Sequence, residues 1–161
     1  MPTFKTSRRV AHAASDMFAL VADIERYPEF VPLCQALRIV RRERNDGHDV
    51  IVARMTVAYK IFSESFTCRV ELQRNEGVIL VSYLDGPFRR MENRWVFAPA
   101  GEQECDVGFF LDYEFRSKTL AMLMGSVFDR AFRKFAAAFE ARADEIYGKR
   151  GAFARDAPRP A

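Results

Sequence analysis

An α+β fold is predicted, with a curved antiparallel sheet wrapped around one long C-terminal helix. Three observations predict it. Apolar and polar residues alternate from about residue 34 to 115, an apolar stripe of helical spacing runs from Ser117 to about Tyr147, and 161 residues suit one core. Wrapping the sheet around the helix buries the apolar face of each. Where side chains do not fill the space between them, a hydrophobic ligand cavity results.

The elements follow in order. Residues 3–10 form a short, partly polar opening strand. Ser15 and Asp16 precede Met17, Phe18, Leu20, Val21 and Ile24 at helical spacing, and the acid suits a helix N-terminus. This helix is expected to end before Tyr27-Pro28, because the residue before proline is driven out of the helical region. Two prolines then make residues 27–32 a stiff connection.

About six strands come next. Ile51, Ala53, Met55, Val57, Tyr59 and Ile61 share one apolar face, while Arg54, Thr56 and Lys60 lie on the other. The alternation recurs through Phe66, Cys68, Val70 and Leu72, through Ile79, Val81 and Tyr83, and through Met91, Asn93, Trp95 and Phe97. Val107, Phe109, Leu111, Tyr113 and Phe115 complete it. Asn45-Asp46-Gly47, Asn75-Glu76-Gly77, Asp85-Gly86-Pro87 and Pro99-Ala100-Gly101 supply the turns of a meander wetted on one side. In the final helix Leu120, Leu123, Met124, Val127, Phe128, Phe132, Phe135 and Phe139 form the stripe, with Arg130, Arg133, Lys134, Glu140 and Asp144 opposite. Uninterrupted, it spans roughly 45 Å, and Gly125 is its weak point. Residues 1–148 read as one domain and 149–161 as a flexible basic tail.

Composition excludes several classes. Fifteen Phe, five Tyr and one Trp are too much apolar surface for a disordered chain. No apolar run is long enough to span a bilayer, and residues 1–5 lack a secretory pattern, so a cytoplasmic location is expected. Cys34, Cys68 and Cys105 are odd in number and widely spaced, which argues for reduced thiols over disulfides or zinc. The net charge of +3 is carried by residues 149–161; residues 1–148 hold 21 basic and 21 acidic groups. A DNA footprint is therefore not expected.

Catalytic constellations are scarce. His12 falls in the first loop and His48 beside a turn, and no nucleophile elbow, paired histidine motif or phosphate loop is found. Cys34 as a nucleophile would need a lowered pKa and a partnered base. No catalytic or metal-binding residue is expected. Asn93, between Met91 and Trp95 on an apolar face, is the notable polar residue: it either ties down a neighbouring strand or meets a ligand head group. Arg38, Arg41, Arg42 and Arg44, with Arg89, Arg90 and Arg94, are solvated or meet an anionic partner such as lipid head groups or RNA phosphate. The run 120–124 is apolar on more than one side, so Met122 could touch a membrane or form a pocket lid.

Three segments resemble the coenzyme Q-binding and ribosome-association-toxin family of START-like proteins. These are Tyr27-Pro28-Glu29-Phe30-Val31-Pro32-Leu33-Cys34, then Gly86-Pro87-Phe88 with Asn93-Arg94-Trp95-Val96-Phe97, then the helix from Ser117 through Gly125-Ser126-Val127-Phe128 to Ala143. The resemblance covers about residues 3–148 and implies the helix-grip fold with a hydrophobic tunnel. It further implies binding of a polyprenyl quinone such as ubiquinone, as a carrier or chaperone for respiration or quinone biosynthesis. The alternative it implies is a toxin-like protein that binds the ribosome and interferes with subunit association; a polyketide cyclase-like enzyme ranks third.

The candidate ligand-binding residues are accordingly Pro32, Met55, Tyr59, Phe66, Asn93, Trp95, Phe109 and Tyr113 before the last helix, with Leu123, Val127, Phe128 and Phe132 on it. No cofactor beyond the bound quinone is expected. Expected partners are that quinone, the inner face of a membrane in transient peripheral contact, and the ribosome.

Overall fold

The computed structural model describes residues 3–148; the tail expected at 149–161 lies outside them. Seven strands form a single antiparallel sheet: β1 Thr3–Val10, β2 Cys34–Asn45, β3 His48–Tyr59, β4 Phe62–Gln73, β5 Val78–Asp85, β6 Phe88–Gly101 and β7 Glu104–Phe115. Their spatial order is β1-β7-β6-β5-β4-β3-β2, a meander closed at one edge by the opening strand. Alternation sets the inner face: in β7 every second residue from Cys105 to Phe115 is buried. Asp46 and Gly47, both at positive φ, make the tight β2–β3 turn.

Helix α1 (Ala14–Ala22) and a 3-10 helix (Ile24–Glu29) carry the chain from the β1 edge to the β2 edge. α1 starts and stops earlier than the sequence predicts, and the 3-10 turn accommodates Pro28. The Tyr27 hydroxyl donates to the Val21 carbonyl, which satisfies an acceptor left open at the end of α1. The expected strand position of Ile61 is also corrected. β3 ends at Tyr59, Lys60 has φ 55°, and Lys60-Ile61 is the hairpin turn, leaving Ile61 92% exposed.

The single C-terminal helix is in fact two, α2 (Lys118–Arg133) and α3 (Phe135–Tyr147). The break falls at Lys134, not at Gly125. The Lys134 N–H reaches back three residues to the Ala131 carbonyl at 3.0 Å, a locally tightened turn. It re-aims the apolar stripe. Phe128 on α2 meets Phe88 and Phe115, whereas Phe139 on α3 meets Trp95, Tyr27 and Phe30. Ser117 caps α2 by accepting from the Leu120 N–H at 3.2 Å.

Two polar residues differ from their expected surroundings. His12 is fully buried, and Asp144 turns inward to it, Nε2 to Oδ1 at 2.7 Å. Arg142 pairs with Glu29 and lies over the Phe30 ring, fastening α3 to the 3-10 helix. Most of the arginines read as open to an anionic partner are paired: Arg41 with Glu43, Arg42 with Glu25, Arg44 with Asp49, and Arg90 with Asp112 and Glu114.

Candidate functional site: an apolar cavity between sheet and helices

Between the concave face and the two C-terminal helices lies a cavity of about 110 Å³. Its floor comes from alternate residues of β3 to β7, among them Met55, Phe66, Ile79, Trp95 and Phe109. Phe128, Ala131, Phe132, Phe135 and Phe139 form the roof, and Tyr27, Pro32 and Leu33 a side wall. The walls are aromatic and aliphatic with few polar groups. Leu33 has φ 68°, a conformation disfavoured for a branched side chain, and its carbonyl accepts from the Ala58 N–H at 3.0 Å. That bond holds the proline-bounded segment on the end of β3.

Asn93 is the cavity's amide. Its Nδ2 donates to the Phe110 carbonyl at 2.7 Å, so the strand-tying reading is realised. That bond also fixes which way the amide faces, since Oδ1 would repel the carbonyl. One N–H and the Oδ1 lone pairs are left without a partner among the described residues. The amide can therefore offer one donor and one acceptor to a guest. The other polar groups are subdued. Tyr27 spends its hydroxyl proton on Val21, and burial pushes its pKa far above the ordinary phenol value. Burial likewise pushes the cavity-lining Cys68 thiol up to about 12, and outside the lining Cys34 to about 11, so neither is a thiolate near neutrality.

Eight of the sequence-derived candidates line the cavity: Pro32, Met55, Phe66, Asn93, Trp95, Phe109, Phe128 and Phe132. Four do not. Tyr59 ends its strand beyond the cavity, with the Lys60 ammonium 5.3 Å from its ring centroid. Leu123 is exposed and Val127 half-buried, each one residue, about 100° of helix, from the inward Met124 and Phe128. Tyr113 is enclosed by Phe88, Phe115 and Phe132, and its pKa is pushed up to about 12 by burial. Leu33, Leu37, Met91, Leu111, Phe135 and Phe139 line the cavity without having been singled out. Met91, Leu111, Phe135 and Phe139 lie in the predicted periodic stripes; Leu33 had no such signal, because its positive φ is not written in its side chain.

The Tyr113 hydroxyl is buried without a hydrogen-bond partner among the described residues. An orphan hydroxyl costs on the order of 1–3 kcal/mol, so Tyr113→Phe is expected to stabilise the ligand-free protein by about 1 kcal/mol. Denaturant unfolding measures this; an unchanged or lower midpoint would reveal a partner for the hydroxyl.

A concave antiparallel sheet closed over an apolar cavity by C-terminal helices defines a START-like helix-grip domain. Its fold superimposes on a START superfamily protein from Mycobacterium smegmatis with a TM-score of 0.75 at 23% identity, covering 89% of this chain and 98% of that one. Over residues 10–140 the sequence matches the family described as polyketide cyclase/dehydrase and lipid transport, and the chain belongs to that family. It is 34% identical to the ribosome association toxin RatA of Escherichia coli K12 over 150 residues, 93% of this chain and 92% of that protein. It is also 24% identical over 152 residues to the mitochondrial coenzyme Q-binding protein COQ10 of Dictyostelium discoideum, covering 94% of this chain and 73% of that one. Among the described residues no helix is long and apolar enough to cross a membrane, and no cluster of three or more metal-ligating side chains occurs.

Proposed function

We infer that this protein binds a polyprenyl quinone such as ubiquinone, shielding or carrying it without transforming it. The observation that carries this reading is an aromatic-walled cavity whose one amide, Asn93, keeps a free donor and a free acceptor. A quinone carbonyl needs the donor and a quinol hydroxyl the acceptor. The apolar walls suit a prenyl chain, whose burial is worth about 25 cal/mol per Å² before ordering costs. The relative named as a coenzyme Q-binding protein supports the same ligand class. Thiols at about 11 and 12 and a phenol committed to Val21 suit packing better than proton transfer, which favours a binder over a cyclase-like enzyme.

A second reading is favoured by relatives at 34–35% identity that carry the name ribosome association toxin. On that reading the chain binds a ribosomal subunit. The pairing of most of the strand arginines weakens it, because a guanidinium already held by a carboxylate is a poorer phosphate ligand.

Mass spectrometry of lipid extracted from detergent-free protein is expected to give a quinone near one per chain. Co-sedimentation with ribosomal subunits at low and high salt tests the second reading. Protein that is empty and cannot be reloaded with ubiquinone overturns the first; salt-sensitive subunit binding by the same sample then carries the second.

A further inference from the structure

The meander brings one set of turns to the same end of the sheet. The entry to β2 (residues 30–33), the Lys60-Ile61 turn, the Gly86-Pro87 turn and the start of α2 all lie there, because β2, β4 and β6 begin where β3, β5 and β7 end. The cavity reaches towards this end through Pro32, Leu33, Phe66 and Met91. The most exposed large apolar side chains are here too: Ile61 at 92% and Met122 at 83%, with Leu84 and Leu123 about half exposed. Exposed apolar side chains gathered at one end of a molecule mark an interaction surface where they make one patch.

Charge orders the molecule along the same axis. At this end Lys60, Arg116 and Lys118 carry no ion pair among the described residues, beside the ion-paired Arg89 and Glu114 and the acids Glu64 and Asp85. The opposite end, built from the turns at 45–49, 74–77 and 101–104, carries Asp46, Asp49, Glu76, Glu102 and Glu104 against Arg44 and Arg74. An anionic surface attracts the first end and repels the second.

We propose that this end docks on an anionic lipid bilayer, with Ile61 and Met122 entering the interface and Lys60, Arg116 and Lys118 meeting the head groups. Apolar apices ringed by cations suit a bilayer surface, where each cation adds attraction and each buried side chain adds burial. An RNA partner would draw on the same cations but gives Ile61 and Met122 no apolar medium to enter. The inference deepens the cavity reading and rests on it for its purpose: docking puts the end of the cavity lined by Pro32, Leu33, Phe66 and Met91 nearest the source of its guest.

The test is flotation of the full chain with vesicles of phosphatidylcholine, with and without phosphatidylglycerol. Binding is expected on the anionic vesicles, weakening several-fold as salt rises from about 0.05 to about 0.5 M. Ile61→Ser with Met122→Ser is expected to lower partitioning about tenfold at an unchanged melting temperature. Val40→Ser with Ile146→Ser removes exposed apolar side chains elsewhere and is expected to leave it unchanged. Absence of vesicle binding, equal loss in both pairs, or loss of ribosomal-subunit binding alone in the first pair each overturns the proposal. Lipid extracted from the same variants keeps the two readings apart: a retained quinone without vesicle binding removes the docking surface and leaves the cavity reading standing.

Discussion

Gly86→Ala is expected to lose roughly 3–5 kcal/mol, enough to leave much of the protein unfolded at physiological temperature. Gly86 has φ 147°, in the region that L side chains rarely adopt. Space is the larger problem. A Cβ built there stands 2.5 Å from the Phe66 Cβ and 2.9 Å from the Phe66 Cα. These atoms belong to the backbone and the root of the side chain, so no rotamer of Phe66 relieves the overlap. The β5–β6 turn would have to lift from β4 and take Phe88 with it. Phe88 is fully buried against the rings of Phe66, Tyr83, Tyr113, Phe115 and Phe128, and its N–H donates to the Tyr83 hydroxyl at 3.1 Å. The comparison that isolates the close approach is Gly101→Ala. Its φ of 146° is nearly the same, but open space surrounds the added carbon, so about 1–2 kcal/mol is expected. Urea unfolding of both variants decides the matter: equal losses would show that backbone strain, not the fit against Phe66, makes Gly86 necessary.

The same glycine shows what the sequence could and could not say. Gly86-Pro87-Phe88 marks a turn from composition alone, yet the tightness of its seat on Phe66 depends on the register of β4 with β5. That register shifts between Thr67 and Cys68. Period-two alternation located β3 to β7 and with them the floor of the cavity, because a strand with one wet face must alternate. β1 was read only as a short β-compatible run, and β2, mostly exposed on both faces, carries no such signal. Helical periodicity located the roof but not its break. The stripe runs unbroken through Lys134, and only the need to pack Phe128 on Phe88 and Phe139 on Trp95 bends it. Leu123 and Val127 were misplaced for the related reason that a stripe read at i, i+3, i+4 is wider than the wall it supplies. His12 gave no sign of burial, since its partner Asp144 is 132 residues away.

Trp95→Ala is expected to cost about 3–4 kcal/mol and to disable the cavity. The indole is buried with its centroid 4.7 Å from Phe109, 4.9 Å from Phe139 and 6.0 Å from the stacked ring of Phe97. Truncating a buried aromatic typically costs about 3–5 kcal/mol. The lower part of that range applies because one side of Trp95 already faces the cavity and has fewer contacts to lose. Trp95→Phe keeps a ring between Phe109 and Phe139, so about half that loss is expected. Trp95 is also the chain's single tryptophan, which makes the wild-type protein its own reporter. A quinone held against the indole quenches its fluorescence, so titration with ubiquinone is expected to quench saturably at one ligand per chain. Asn93→Leu should weaken that titration several-fold by removing the free donor while leaving the apolar walls in place. A ligand that extracts with the protein yet leaves Trp95 fluorescence untouched would lie outside this cavity, and the quinone reading of the Asn93 amide would fall with it.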